Sequence, residues 1–314
     1  MPETMKTEGR ILRIERLSPN DGKGLRTVVF FKGCPLHCQW CSTPESQCGV
    51  RELFYKADKC VACGRCVTTC PNEALKIDTN TNKLCIDEEK CKKCFSCTKV
   101  CLKNALGVFG EKMTVSQVMK KILKDEIFYF HSGGGVTLSG GDVLGQAEFA
   151  REILKECKNS GIHTMAEFDM YGDYKNIEML LPYLDEFYVD IKLMDEEEHK
   201  KWTGVSNSSI LENTKRVAKE KPGAVHIRIP LIWNVNDTRE NLEKTAEFCQ
   251  QLASCRELEF LPYHRLGQVT YEYIGREYPM NELPPMTYEE AYEKVAFLKE
   301  MSLSFPVKIS GKEI

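Results

Sequence analysis

Thirteen of the chain's sixteen cysteines lie between Cys34 and Cys101, and only Cys157, Cys249 and Cys255 fall elsewhere. Such density in a short secreted chain specifies a disulfide framework. Here, 314 residues with 42% hydrophobic and 28% charged content can bury a full-sized core without cross-links. The polar stretch from Met1 to Arg10 lacks a secretion signal, and no run approaches the roughly 18 apolar residues of a membrane span. A cytoplasmic chain among reduced thiols is expected, and its clustered cysteines read first as metal ligands. The net charge of −3 supplies no field that recruits nucleic acid or an acidic membrane, so neither is expected as a partner.

One cysteine spacing occurs twice. Cys60-x2-Cys63-x2-Cys66-x3-Cys70, followed by Pro71, is matched by Cys91-x2-Cys94-x2-Cys97-x3-Cys101. This is the bacterial ferredoxin pattern, in which three thiolates wrap one face of a cubane and the fourth cysteine reaches the partner cluster. The expected sets are Cys60, Cys63, Cys66 and Cys101 for one 4Fe–4S cluster and Cys70, Cys91, Cys94 and Cys97 for the other. Structural zinc is the alternative, but four ligands per ion leave the third evenly spaced cysteine without a purpose. Between Lys56 and Lys103 ten basic residues face six acidic ones, a net of +4. The first reading of that excess is neutralisation of anionic clusters, and the second is docking of an acidic electron donor. Cys48 and Cys85 fit neither repeat and read as ordinary thiols.

The flanks have another texture. Short β-branched and aromatic runs at Arg26–Phe31, Gly135–Leu138, Gly161–Met165, Phe187–Ile191, Val225–Ile229 and Leu258–Leu261 read as six buried strands. Helical periodicity lies between them: Val115, Val118, Met119, Ile122 and Leu123 share one face behind a Thr114 N-cap, and Ala150, Ile153, Leu154 and Cys157 share another. Residues 271–285 read as a loop, then a helix carries Ala291, Val295 and Leu298, and a strand follows at Val307–Ser310. Strands alternating with crossover helices specify an α/β fold with a parallel sheet. The expected architecture is a partial (β/α)6 TIM-like barrel, residues 1–49 and 109–314, interrupted at 50–108 by a bacterial-ferredoxin-like α+β domain. Functional side chains then belong at the C-terminal ends of the strands.

Ahead of the insert, Cys34-x3-Cys38-x2-Cys41 occupies a loop after the first strand, with Gly33 before it and Trp40 just ahead of the third cysteine. Three thiolates on a cubane leave one iron open to a small molecule. A loop of merely structural cysteines is the bland alternative. The spacing resembles that of the radical S-adenosylmethionine superfamily, and the resemblance runs on through Arg10–Ile14, Asn20–Arg26, Ser139–Asp142, Asp190–Lys192, His199–Asn207, Arg228–Pro230 and Pro262–Gly267. Together these resemble a glycyl-radical enzyme activating enzyme, of the subgroup with a two-cluster insert that activates decarboxylases, dehydratases and carbon–sulfur or carbon–nitrogen lyases.

The resemblance implies that S-adenosylmethionine binds the open iron of the Cys34, Cys38, Cys41 cluster, the catalytic group, through its amino and carboxylate groups. Three 4Fe–4S clusters are thereby expected in all. Trp40 would contact adenine, Gly140 and Gly141 would let main chain approach the methionine moiety, and Asp142 belongs to the same motif. Lys192, Arg228 and His264 would meet the cofactor's carboxylate and ribose. Glu167 and Asp190 would help hold a monovalent cation, with ion pairs to Arg228 or Lys192 as the competing explanation. Asp21 would contact the partner, an Asx-turn being the alternative.

Several positions depart from the family pattern: Asp142 with Val143, Lys23, Glu167 through Met170, and Trp233 with Asn234. None removes a cluster ligand. The implied activity is one-electron cleavage of S-adenosylmethionine to methionine and a 5′-deoxyadenosyl radical, which takes hydrogen from a glycine of a glycyl-radical enzyme. The implied electron source is a flavodoxin- or ferredoxin-type donor. Competing readings are a multi-cluster electron carrier and a radical enzyme acting on a small molecule or another peptide.

Overall fold

The first strands form because a β-branched and aromatic run, Arg26–Phe31, has no polar face to give to water: five of its six residues are buried. In the computed structural model, which describes residues 3–314, this strand (β2) pairs antiparallel with β1 (Glu8–Ser18), from Ile11 opposite Phe31 to Ser18 opposite Arg26. The first two residues of the expected 1–49 segment lie outside the described residues. After the cysteine loop come four short strands: β3 (Glu52–Tyr55), β4 (Leu75–Asp78), β5 (Lys83–Ile86) and β6 (Leu106–Phe109). β3 pairs with β6 and β4 with β5, both antiparallel. This segment carries its own small core of Leu75, Leu84, Cys97 and Leu106. Gly110, at φ +92°, turns the chain into β7 (Glu111–Thr114), which pairs with β1.

From there strand and helix alternate. Thr114 caps the helix Val115–Ile122 in a capping box with Gln117, as its sequence position predicts. β8 (Gly135–Gly140), β9 (His163–Phe168), β10 (Glu186–Asp190), β11 (Val225–Leu231) and β12 (Glu257–Pro262) follow in order, each parallel to its neighbour, and β8 is parallel to β2. β13 (Val307–Ile309) adds one more parallel strand and β14 (Lys312–Glu313) an antiparallel edge. The result is an α/β fold on a ten-stranded mixed sheet in the order β14-β13-β12-β11-β10-β9-β8-β2-β1-β7. No helix among the described residues is long and apolar enough to cross a membrane.

All six expected strands are present. The third is displaced: Gly161, at φ +70°, and Ile162, whose N–H donates to the Cys157 carbonyl (2.9 Å), close the preceding helix, so extended backbone begins at His163. The expected loop at 271–285 loses its first residues to the helix Gln268–Tyr273. The C-terminal helix runs Tyr288–Val295 behind a Thr287–Glu290 capping box.

Period-two alternation divides each parallel strand. In β11, Val225, Ile227, Ile229 and Leu231 belong to the main core, together with Val217 and Leu242 of the flanking helices. The intervening His226 and Arg228 meet charged side chains of other strands instead: Glu186 and Glu257 of the adjacent strands for His226, Glu259 of β12 and Glu167 of β9, two strands away, for Arg228. One face of the sheet is therefore apolar and the other is laddered with ion pairs.

A carboxylate at the start of β3 helps tie the 52–109 segment to the rest of the chain. Glu52 accepts from the buried Lys32 ammonium (2.8 Å) and from Arg276 (2.6 Å). Removing one partner of a buried pair strands the other charge, at about 3–5 kcal/mol. Glu52→Leu is accordingly expected to lower the denaturation free energy by an amount of that order, read from the shift in urea midpoint at unchanged m-value. Glu88→Leu, at an exposed position, is expected to stay within about 0.5 kcal/mol.

Candidate active site and cysteine-lined cavities

The loop from Cys34 to Cys41 has no regular secondary structure, so its shape comes from hydrogen bonds at its edges. Gly33, at φ +107°, donates to the Ser46 carbonyl (2.6 Å) and Cys34 N–H donates to the Gln47 carbonyl (3.3 Å). On the other side His37 N–H donates to the Thr203 carbonyl (2.7 Å) and Gln39 N–H to the Trp202 carbonyl (3.2 Å). Those carbonyls end the helix Glu196–Thr203, whose last turn is fixed by side chains: Thr203 Oγ1 donates to the His199 carbonyl (2.8 Å) and His199 Nδ1 lies 2.7 Å from the Val205 carbonyl oxygen. Asn207 then ties the segment to β10's end by donating to the Leu193 and Met194 carbonyls (3.0 and 2.9 Å). The sequence marks His199–Asn207 as a motif but not as this clamp, because the groups that act are backbone carbonyls.

All sixteen cysteines are free thiols. Cys34, Cys38 and Cys41 line one cavity of about 360 Å³ at the C-terminal ends of the parallel strands. The same cavity collects Trp40, Gly140, Gly141, Glu167, Asp190, Lys192, Arg228, His264 and Asp21. Eight further cysteines fall into two sets: Cys60, Cys63, Cys66 and Cys101 line a second cavity, and Cys70, Cys91, Cys94 and Cys97 a third. Each of these two draws three cysteines from one repeat and the fourth from the other.

The charges in the first cavity are paired. Arg228 donates to Glu167 (2.7 Å) and Glu259 (2.9 Å) and lies 3.4 Å from the Tyr188 ring centroid. Burial works against its charge, yet Glu167, Tyr188 and Glu259 hold its pKa above the usual range. Glu167 also accepts from Ser139, and burial raises its carboxyl despite Arg228. Lys192 pairs with Asp190; burial opposes the ammonium, but Asp190 and Cys38 carry it above its ordinary value. Burial pushes the Cys38 thiol up to about 12 and also raises Cys34, which the neighbouring Asp169 and Asp142 carboxyls raise further. Without a metal cation these thiols stay protonated at neutral pH.

Asp142 is the one expected site residue that does not line the cavity. It is buried, and its carboxylate accepts from Leu144 N–H (2.6 Å) and Asp169 N–H (3.1 Å), so it shapes the turn after β8 and the end of β9. Burial, then the charge of Asp169, holds its carboxyl well above the usual range. Asp169 itself went unassigned in the sequence; it accepts from Cys34 Sγ (3.6 Å), a contact no local pattern announces. Asp21 accepts from the Ser18 hydroxyl and its carbonyl accepts from Thr137 Oγ1 (2.7 Å), which leaves it on the cavity wall.

The donor sets fit iron–sulfur groups: three cavities, each lined by three or four free thiols. A 4Fe-4S dicluster domain family matches residues 59–105, and a 4Fe-4S single cluster domain family matches residues 83–211. The isethionate sulfite-lyase activating enzyme of Oleidesulfovibrio alaskensis is 40% identical over 287 residues, 90% of this chain and 92% of that protein. The trans-4-hydroxy-L-proline dehydratase activating enzyme of Clostridioides difficile is 40% identical over 304 residues, 96% of this chain and 99% of that protein. A solved domain of a pyruvate-formate lyase-activating enzyme from Bacteroides vulgatus superposes with a TM-score of 0.46 at 29% identity, covering 56% of this chain and 99% of that one.

The protein is thus a radical S-adenosylmethionine oxidoreductase that carries iron–sulfur clusters. Within that class the chain belongs to the glycyl-radical enzyme activating enzymes, and its protein substrate is a glycyl-radical enzyme.

Gly141 tests the cavity's construction. A Cβ there would stand 2.2 Å from the Gly33 carbonyl oxygen and 3.0 Å from that of Ser46, both in the hydrogen-bonded frame of the cysteine loop. Gly141→Ala is expected to displace the loop and cut S-adenosylmethionine cleavage on the order of 100-fold, measured as 5′-deoxyadenosine released by the dithionite-reduced enzyme. Gly145→Ala, where a Cβ meets nothing within 4 Å, is the control expected to match wild type.

Proposed function

We propose that Cys34, Cys38 and Cys41 hold the 4Fe–4S cluster at which S-adenosylmethionine binds, and that the two four-cysteine cavities hold two further 4Fe–4S clusters. The observation that carries this reading is the convergence of three free thiols on the strand-end cavity that Lys192, Arg228 and His264 also line. When bound, cluster and S-adenosylmethionine supply the chemistry: one electron splits the sulfonium into methionine and a 5′-deoxyadenosyl radical, which takes a hydrogen atom from the partner's glycine.

The chain's residues bind and orient. Trp40 offers an aromatic face to adenine, and Gly140, at φ +111°, together with Gly141 keeps side-chain atoms out of the space beside the cysteine loop. Lys192 and Arg228 bring fixed positive charge to the cofactor's carboxylate, and His264, whose pKa burial lowers, meets the ribose as a neutral donor or acceptor. Because both carboxylates of the expected cation site already have partners, Glu167 in Arg228 and Asp190 in Lys192, a bound monovalent cation would share them. Asp21, on the loop before β2, takes the contact with the partner.

The domain reading that goes with this function is a partial (β/α)6 barrel formed by residues 1–49 and 109–314, with a ferredoxin-like module inserted at 50–108. The parallel order β2-β8-β9-β10-β11-β12, open at both ends of the sheet, supports the barrel, and the β3–β6 and β4–β5 ladders around their own core support the module. A flavodoxin- or ferredoxin-type protein supplies the electron, and the cytoplasm is the compartment in which these thiols stay reduced.

Anaerobic reconstitution tests the assignment. Iron near twelve atoms per chain is expected for three 4Fe–4S clusters, and about four would remove the insert from the reading. Cys38→Ala is expected to abolish S-adenosylmethionine cleavage, whereas Cys63→Ala retains cofactor binding and loses mainly electron supply. Retained cleavage in Cys38→Ala refutes the three-cysteine assignment.

A further inference from the structure

The two four-cysteine cavities differ in what surrounds them. The one lined by Cys70, Cys91, Cys94 and Cys97 adjoins the large sheet's side of the molecule: Cys91 and Lys93 also line a groove whose far wall is Glu272, Tyr273 and Arg276. Arg276 in turn shares a recess with Cys38 and Tyr271. The cavity of Cys60, Cys63, Cys66 and Cys101 is walled by residues 60–106 alone, sharing only Leu84 with that groove and none of its Glu272–Arg276 wall. At its wall Val61 and Leu102 stand 58% and 73% exposed. The charged residues of that wall are Arg65 and Lys103, both exposed, and no acidic residue joins them.

We propose that this outer face is the docking surface for a small acidic one-electron carrier protein, so that electrons enter at the Cys60, Cys63, Cys66, Cys101 site and pass inward through the second site toward Cys38. The inference rests on the cluster assignments above. Charge neutralisation alone does not call for two large apolar side chains in water beside the cysteines. An apolar centre with a rim of one sign does suit a transient electron-transfer contact, which buries less than about 1,200 Å².

The sign of the rim selects the partner. Arg65 and Lys103 make that rim cationic with no acidic side chain on the cavity wall, which favours an acidic carrier over a basic one. Each turnover takes one electron: a carrier flavin goes from hydroquinone to semiquinone, and the electron ends in the sulfonium carbon–sulfur bond that breaks. No group or proton needs to cross the interface.

The test uses the anaerobically reconstituted enzyme and a bacterial flavodoxin as probe, with binding read by calorimetry across a salt series. Arg65→Glu with Lys103→Glu is expected to weaken binding by at least about tenfold and to flatten its salt dependence. Val61→Ser with Leu102→Ser is expected to weaken it at every salt concentration. Both variants should cleave S-adenosylmethionine at the wild-type rate with dithionite, which bypasses the carrier, and should slow when flavodoxin is the reductant. Lys92→Glu with Lys93→Glu should leave flavodoxin binding unchanged. Undiminished binding in the Arg65/Lys103 variant, or its loss in the Lys92/Lys93 variant instead, overturns the proposal. So does loss of binding to the glycyl-radical enzyme rather than to flavodoxin. Failure of the wild type to cleave with dithionite would instead overturn the cluster assignment on which the surface depends.

Discussion

The cysteine loop is held open by hydrogen bonds to segments far from it in sequence, and the rest of the site depends on that constraint. Eight residues without helix or sheet present three thiols to one cavity because Ser46, Gln47, Trp202 and Thr203 supply carbonyls on both flanks. Gly141 and Asp142 close the third side, their N–H groups donating to Phe31 (3.0 Å) and Gly33 (2.7 Å). None of these bonds is strong by itself, at roughly 1 kcal/mol net. Together they leave the loop few alternatives, and they exist only because parallel strands bring their C-terminal ends to one rim.

That rim is expensive. Glu167, Arg228, Glu259, Asp190 and Lys192 lie largely out of water, and buried pairs of this kind seldom contribute more stability than apolar residues of the same volume. The apolar face of the same strands, with Val225, Ile227, Ile229 and Leu231 against the helices, provides the stability that lets the other face be polar. A zwitterionic, cationic ligand needs such a face, with donors and acceptors already oriented before it arrives.

Much of this was legible in the sequence where spacing itself encodes geometry. The Cys-x2-Cys-x2-Cys-x3-Cys repeats predicted which thiols share a cavity, and strand-end positions predicted which side chains converge. What escaped was carried by tertiary contacts. The β9 start moved two residues because a helix C-terminus claimed Gly161 and Ile162. Asp142 turned inward because two backbone N–H groups outbid the cavity for its carboxylate. The clamp at Trp202 and Thr203 and the Cys34–Asp169 contact have no local signature at all.

The crossed cysteine sets of the insert have an assembly consequence. Since each cavity borrows its last thiol from the opposite repeat, neither half of the segment can be completed ahead of its twin. Cys101 fastens the second repeat to the cavity of the first, and Cys70 fastens the first repeat to the cavity of the second, so displacing either half of the segment would open both cavities.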